Sequence, residues 1–174
     1  LVIILNGVGR SGKGTVYEDM NKLLPGVWYS WVEKVRTMLR ENGVDVDNKT
    51  PEMRRLLAGV CSAFDEMDLN FNDVKRVILD VENWKYDQKR TAYIDIRDPK
   101  NIEKVKRFCK ALGIDVFTVY VKRDVECPDN EADKAASNTD YKYDYVIENN
   151  GTLDDLNAKC EKIIHEVYTV IWNE

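Results

Sequence analysis

Five short stretches of continuous or alternating apolar residues punctuate the chain, and between them apolar residues return every three or four positions. Leu1-Val2-Ile3-Ile4-Leu5 is apolar throughout and β-branched at its centre, which predicts a strand buried on both faces. A glycine-rich turn follows, then a helical stretch from Lys13 to Leu24 that Pro25-Gly26 stops. Val27 to Tyr29 reads as a second, short strand. Three amphipathic helices come next, with stripes at Val32, Val35 and Leu39, at Met53, Leu56, Leu57, Val60, Cys61 and Phe64, and at Phe71, Val74, Val77, Ile78 and Val81. Strand character returns at Thr91 to Ile96. Pro99 then suits the first turn of a helix that carries Ile102, Val105, Phe108, Cys109 and Leu112 on one face and ends at Gly113. Ile114 to Val121 alternates as a strand, and Lys122 to Lys142 is polar, acidic and aperiodic, which predicts a loop. A last strand at Tyr143 to Ile147 leads into a closing helix lined by Leu153, Leu156, Cys160, Ile163, Ile164, Val167 and Ile171.

Strands alternating with helices predict an α/β fold with a mainly parallel five-stranded sheet covered on both faces. The run of helices between about 30 and 88 is the one insertion into that rhythm. A length of 174 residues suits a single domain spanning 1–174, with 44% hydrophobic and 33% charged residues as in globular proteins. The chain opens inside a strand, so an initiating segment is expected to precede Leu1. The net charge of −5 disfavours a nucleic-acid partner, which needs a basic face. No apolar run reaches the length of a membrane span and no signal peptide is visible, so a cytoplasmic location without a membrane partner is expected. Cys61, Cys109, Cys127 and Cys160 form no CxxC pair and read as free thiols of a reducing compartment; His165, alone in the last helix, reads as structural.

The chemistry concentrates in Gly7-Val8-Gly9-Arg10-Ser11-Gly12-Lys13-Gly14-Thr15, between the first strand and the first helix. Glycines there let backbone N–H groups turn inward on phosphate oxygens, and the helix N-terminus adds further N–H groups and a positive dipole end. Lys13 supplies a full charge for β- and γ-phosphates, and Thr15 a hydroxyl for Mg²⁺. The expected ligands are therefore ATP, or another nucleoside triphosphate, and Mg²⁺. Gly14 follows the lysine where many P-loops place Ser or Thr, and neither an NKxD nor a DxxG motif occurs, which argues against a GTPase. Asp95 and Arg97 close the third strand at its carboxyl end, where ligands of open α/β sheets bind.

Four stretches together resemble the nucleoside monophosphate kinase-like group of P-loop kinases, most of all the phage-type deoxynucleoside monophosphate kinases and their relatives. They are the P-loop with Arg10 and Ser11 inside it, Tyr29-Ser30-Trp31-Val32-Glu33-Lys34, Asp95-Ile96-Arg97, and Val146 to Leu153 with Asn149 and Gly151 in the turn. The resemblance implies ATP-dependent phosphoryl transfer to a phosphorylated small molecule, a nucleoside or deoxynucleoside monophosphate. It gives Arg97 and Lys34 to the acceptor, Asp95 to the metal and catalysis, and Asn149 and Gly151 to the donor nucleotide. Arg36, Arg40, Arg54 and Arg55 are expected on solvated helix faces, and Tyr29 and Trp31 in core packing. The segment of about 122–142 corresponds to the lid of that group, whose arginines cover the transferring phosphoryl; here Arg123 is the one candidate lid cation for catalysis, with Lys122, Lys134 and Lys142 among a majority of carboxylates. That poverty of arginine motivates an alternative, a non-catalytic nucleotide-binding module that docks a partner. A kinase for another phosphorylated metabolite, as phosphomevalonate and dephospho-coenzyme A kinases are, is the third reading.

Overall fold

A computed structural model describes residues 1–48, 50–83, 91–125, 131–137 and 140–172. Its centre is β1 (Val2–Asn6), buried at every position. On one side β1 pairs in parallel with β3 (Thr91–Asp95), which pairs with β2 (Gly26–Ser30); on the other it pairs with β4 (Val116–Lys122), which pairs with β5 (Tyr145–Glu148). All four pairings are parallel and the order is β2-β3-β1-β4-β5.

The apolar run of β1 serves two cores at once. Ile3 and Leu5 pack with Val16 and Met20 of α1 (Lys13–Leu23) and with Leu156, Cys160 and Ile164 of α7 (Leu153–Trp172). Val2 and Ile4 face Val74, Ile78 and Val81 of α4 (Leu69–Asn83) and Ile102, Val105 and Cys109 of α5 (Pro99–Ala111). A strand covered on both faces has no polar side, which is why it lacks alternation. Between β2 and α4 lie α2 (Glu33–Glu41) and α3 (Pro51–Glu66). Thr50 caps α3 by accepting from the Met53 N–H at 3.2 Å, and Asp98 caps α5 by accepting from Lys100 at 2.8 Å, each followed by proline in the first turn.

One expectation needs correcting. The segment 122–142 is not all loop: β4 runs on to Lys122, and a short helix α6 spans Glu131–Ala136. Glu131, Ala132, Ala135 and Ala136 are strong helix formers, but six residues are too few to display a period. The amphipathic α3 forms as its stripe predicts, yet it contains no buried residue. It lies over the carboxyl end of the sheet, and its inner face borders a cleft. Cys127 and residues 84–90 of the expected insertion lie outside the described residues.

Candidate active site

The loop from β1 to α1 takes a positive φ in three places, two of them glycines, and is braced in two. Gly7, Arg10 and Gly12 have φ of 147°, 69° and 101°. A Cβ at Gly7 would stand 2.4 Å from the Val121 carbonyl oxygen and 2.6 Å from Ser11 Oγ, so only glycine fits against β4. At Gly12 a Cβ would stand 2.3 Å from Asn149 Nδ2. That amide donates to the Ser11 carbonyl at 2.8 Å, while the Asn149 N–H donates to the Lys122 carbonyl at 2.8 Å. Asn149, expected beside the nucleotide, thus holds the loop's back. Gly151 sits at the mouth of α7, where Asp155 accepts from the Thr152 N–H at 2.9 Å. The Thr152 N–H and hydroxyl hold the Asp155 carboxyl below its ordinary range.

Gly12 caps α1 without a side-chain hydrogen bond, so the first N–H groups of α1 face the loop's interior. Lys13 is buried, and its ammonium donates to the carbonyls of Gly7 at 2.6 Å and Val8 at 3.1 Å, lying 3.9 Å from Asp95 Oδ1. Around this point three buried oxygens have no hydrogen-bond partner among the described residues: Asn6 Oδ1, Ser11 Oγ and Asp95 Oδ1. Asn6 is anchored at its other end, donating to the Arg97 carbonyl at 3.0 Å. Buried oxygens left without donors are costly unless a ligand, cation or water completes them. Asp95 Oδ1 and the half-buried Thr15 hydroxyl in the first turn of α1 are hard oxygen donors. They fit Mg²⁺, which takes one or two protein oxygens and leaves the rest of its shell to phosphate and water.

Beside this loop opens a cleft of about 440 Å³. Its floor is Gly9, Arg10, Asp95 and Arg97; Trp31, Val32 and Arg36 form one wall; Ala135 of α6 reaches it from above. The opposite wall is a single stripe of α3: Arg54, Leu57, Ala58, Cys61, Ser62 and Asp65, each three or four residues from the next but one. Arg10, Arg36, Arg54 and Arg97 therefore converge on one cavity. Arg36 also stands 3.6 Å from Glu33. Burial, with the Asp65 carboxylate adding to it, pushes the Cys61 thiol up to about 11, while the Asn70 amide that donates to it, and then the charges of Arg97 and Arg36, pull the other way.

Lys34, Arg36 and Arg54 exchange the places expected for them. Lys34 does not line the cleft: its ammonium lies 3.6 Å from Asp73 of α4, which also accepts from the Tyr29 hydroxyl and pairs with Arg76 at 2.9 Å. Arg36 and Arg54, read as solvated, face the cavity. The missed signal was positional, since Arg36 is one turn beyond Val32 and Arg54 heads the stripe that ends at Asp65. Trp31 is buried against that same wall. Arg123 is exposed just past the end of β4 and is not among the residues that line the cleft, whereas Ala135 of α6 is.

No protein-family model and no curated protein matches the chain. Among solved structures it is similar to the shikimate kinase of Aquifex aeolicus vf5, at 16% identity and a TM-score of 0.49 over 100% of both chains. It is also similar to a gluconokinase from Sinorhizobium meliloti 1021, at 11% identity and a TM-score of 0.45 over 97% of this chain and 95% of that one. The APS kinase of Mycobacterium tuberculosis matches at 12% identity and a TM-score of 0.44 over 94% and 96%. Likenesses this distant decide neither activity nor acceptor. The P-loop fold stands on the parallel sheet and the β1–α1 loop themselves. Among the described residues no helix is long and apolar enough to cross a membrane.

Proposed function

We propose that the chain is one ATP- and Mg²⁺-dependent kinase domain that phosphorylates a nucleoside or deoxynucleoside monophosphate. The observation that carries this reading is that four arginines line one cleft, which opens directly beside the P-loop. Phosphoryl transfer asks a protein mainly for cations, orientation and exclusion of water. Lys13 and the N-terminus of α1 take the donor's phosphates, and Arg10 stands where donor and acceptor meet. Arg97, Arg36 and Arg54 take the acceptor phosphate, a dianion that two or three guanidinia neutralise and grip bidentately. Trp31, Val32 and Leu57 offer apolar walls to the rest of the acceptor. Asp95 and Thr15 are the oxygens that would hold Mg²⁺, which supplies charge neutralisation on the phosphates. The helices between β2 and β3 form the acceptor-side insertion, and the segment containing α6 forms the lid. The work of lid arginines falls in this scheme to the floor and walls of the cleft, which disfavours the non-catalytic module. A cytoplasmic, reducing location completes the reading, with no nucleic-acid or membrane partner.

The test is a coupled assay of ADP release from ATP against a panel of nucleoside and deoxynucleoside monophosphates, with sugar and isoprenoid phosphates alongside. Turnover with a monophosphate, lost in Lys13→Ala, is expected. Removing one preorganised cation from a transferring phosphoryl should cost on the order of 3 kcal/mol of transition-state stabilisation. Turnover confined to another phosphorylated metabolite would replace the acceptor, and turnover unchanged in a folded Lys13→Ala protein would refute the P-loop assignment.

A further inference from the structure

Asp65 closes the far end of the α3 stripe, and its carboxylate is bound by three donors from three different elements. Trp31 Nε1, at the start of the β2–α2 connection, donates to Oδ1 at 2.8 Å. Asn70 Nδ2, in the first turn of α4, donates to the same oxygen at 2.7 Å. Asn101 Nδ2, in the first turn of α5, donates to Oδ2 at 3.3 Å. Asn70, Asn101 and Trp31 are all buried. None of these three donors is charged, so through these bonds the Asp65 carboxylate aligns neutral groups.

The three anchors are those that set the cleft's width. Trp31 is itself a wall, and its backbone N–H donates to the Asp95 carbonyl at 3.0 Å, which fixes it to the end of β3. Asn101 donates its own N–H to the Asp98 carbonyl at 3.0 Å, one residue beyond Arg97. α3 carries no buried residue of its own, so hydrophobic packing leaves its position over the sheet weakly determined. We propose that Asp65 is the positioning residue of the acceptor half of this cleft, holding the α3 stripe, and Arg54 with it, at a set distance from Arg97 and Trp31. This deepens the kinase reading and rests on it for its catalytic consequence, but its structural half stands without it.

Two measurements separate those halves. Hydrogen exchange of the α3 amides in the unliganded protein should accelerate about tenfold or more in Asp65→Ala, while β1 and β3 keep their protection. In steady-state kinetics the same variant should raise KM for the acceptor on the order of tenfold to a hundredfold and leave KM for ATP within about twofold, the pattern of a misplaced wall rather than a lost phosphate cradle. Asp65→Asn should be impaired at the Asn101 end, where two amide donors would meet. Asp65→Asn combined with Asn101→Asp reverses donor and acceptor at that contact and should recover most of the acceptor KM. Unchanged α3 exchange in Asp65→Ala overturns the proposal whatever the enzyme does. A parallel loss of ATP and acceptor affinity, or failure of the reversed pair to recover beside a folded protein, overturns it too. Altered α3 exchange with no turnover of any monophosphate by the unmodified protein refutes the kinase reading and leaves Asp65 as the holder of α3.

Discussion

Adding one methyl group at Gly12 should separate the two devices that shape the phosphate loop, backbone strain and the Asn149 brace. Gly12 holds φ at 101°, a conformation that costs an L-residue roughly 1–2 kcal/mol. The new Cβ would lie 2.3 Å from Asn149 Nδ2. That atom ends a flexible side chain, so it moves aside rather than forcing the backbone apart, and the loss is its hydrogen bond to the Ser11 carbonyl, about 1 kcal/mol. Gly12→Ala should therefore destabilise by about 2–3 kcal/mol, a fall in Tm of roughly 4–12 °C for a chain of this size. Urea unfolding measures it, with an unchanged m-value showing that the unfolded state is not the cause. Asn149→Ala alone should lose only the bond, about 1 kcal/mol. In Gly12→Ala/Asn149→Ala the methyl finds its space vacated, so the double variant should be less destabilised than the sum by about 1 kcal/mol. Gly14→Ala is the control: nothing lies within 4 Å of its Cβ and its φ is ordinary, so stability should hold or rise by up to about 1 kcal/mol. Strict additivity in the cycle, or a Gly12→Ala protein as stable as the parent, would refute this account of the loop.

Further outcomes follow from the same structure. Lys34→Ala should change acceptor KM less than about twofold, because a half-exposed pair with Asp73 contributes little, whereas Arg54→Ala should raise it on the order of tenfold; steady-state kinetics in the acceptor reads both. Arg97→Lys should weaken acceptor use while calorimetry finds ATP affinity nearly unchanged, since an ammonium cannot copy the bidentate fork; a fall in ATP binding with acceptor dependence intact would contradict the assignment. Burial pushes the Cys61 and Cys109 thiols up to about 11 and Cys160 to about 12, so at pH 8 only about 0.1% or less of each is thiolate, and in the native protein these three should react slowly with a disulfide reagent that finds all four thiols at once in denaturant. These thiols keep their protons in the folded state after the unfolded chain has lost them, so stability should fall as pH rises from about 9 towards 11.

The sheet and the phosphate loop were legible because each is dictated locally. β1 has to be apolar at every position when two cores share it, and Gly7 has to be glycine when a carbonyl of β4 stands where its Cβ would be. The acceptor side was not legible in the same way, because its cations are selected by which face of a helix looks inward. Lys34 and Arg36 lie two residues apart on α2, about 200° around the helix axis, so one of them meets α4 when the other meets the cleft. Composition and position in the motif favoured Lys34; the buried Val35 and the cleft-facing Val32 favoured Arg36, and only the packing of α3 decides between them. The same reasoning resolves the arginine-poor lid. Charge needed at a transferring phosphoryl has no obligatory sequence address, only a place in space. Here Arg10, Arg36, Arg54 and Arg97 come from the phosphate loop, α2, α3 and the end of β3, and they share one cavity although 87 residues separate the first from the last. Counting cations within the segment 122–142 alone therefore underestimates the positive charge around the cleft, which α6 borders with the small Ala135.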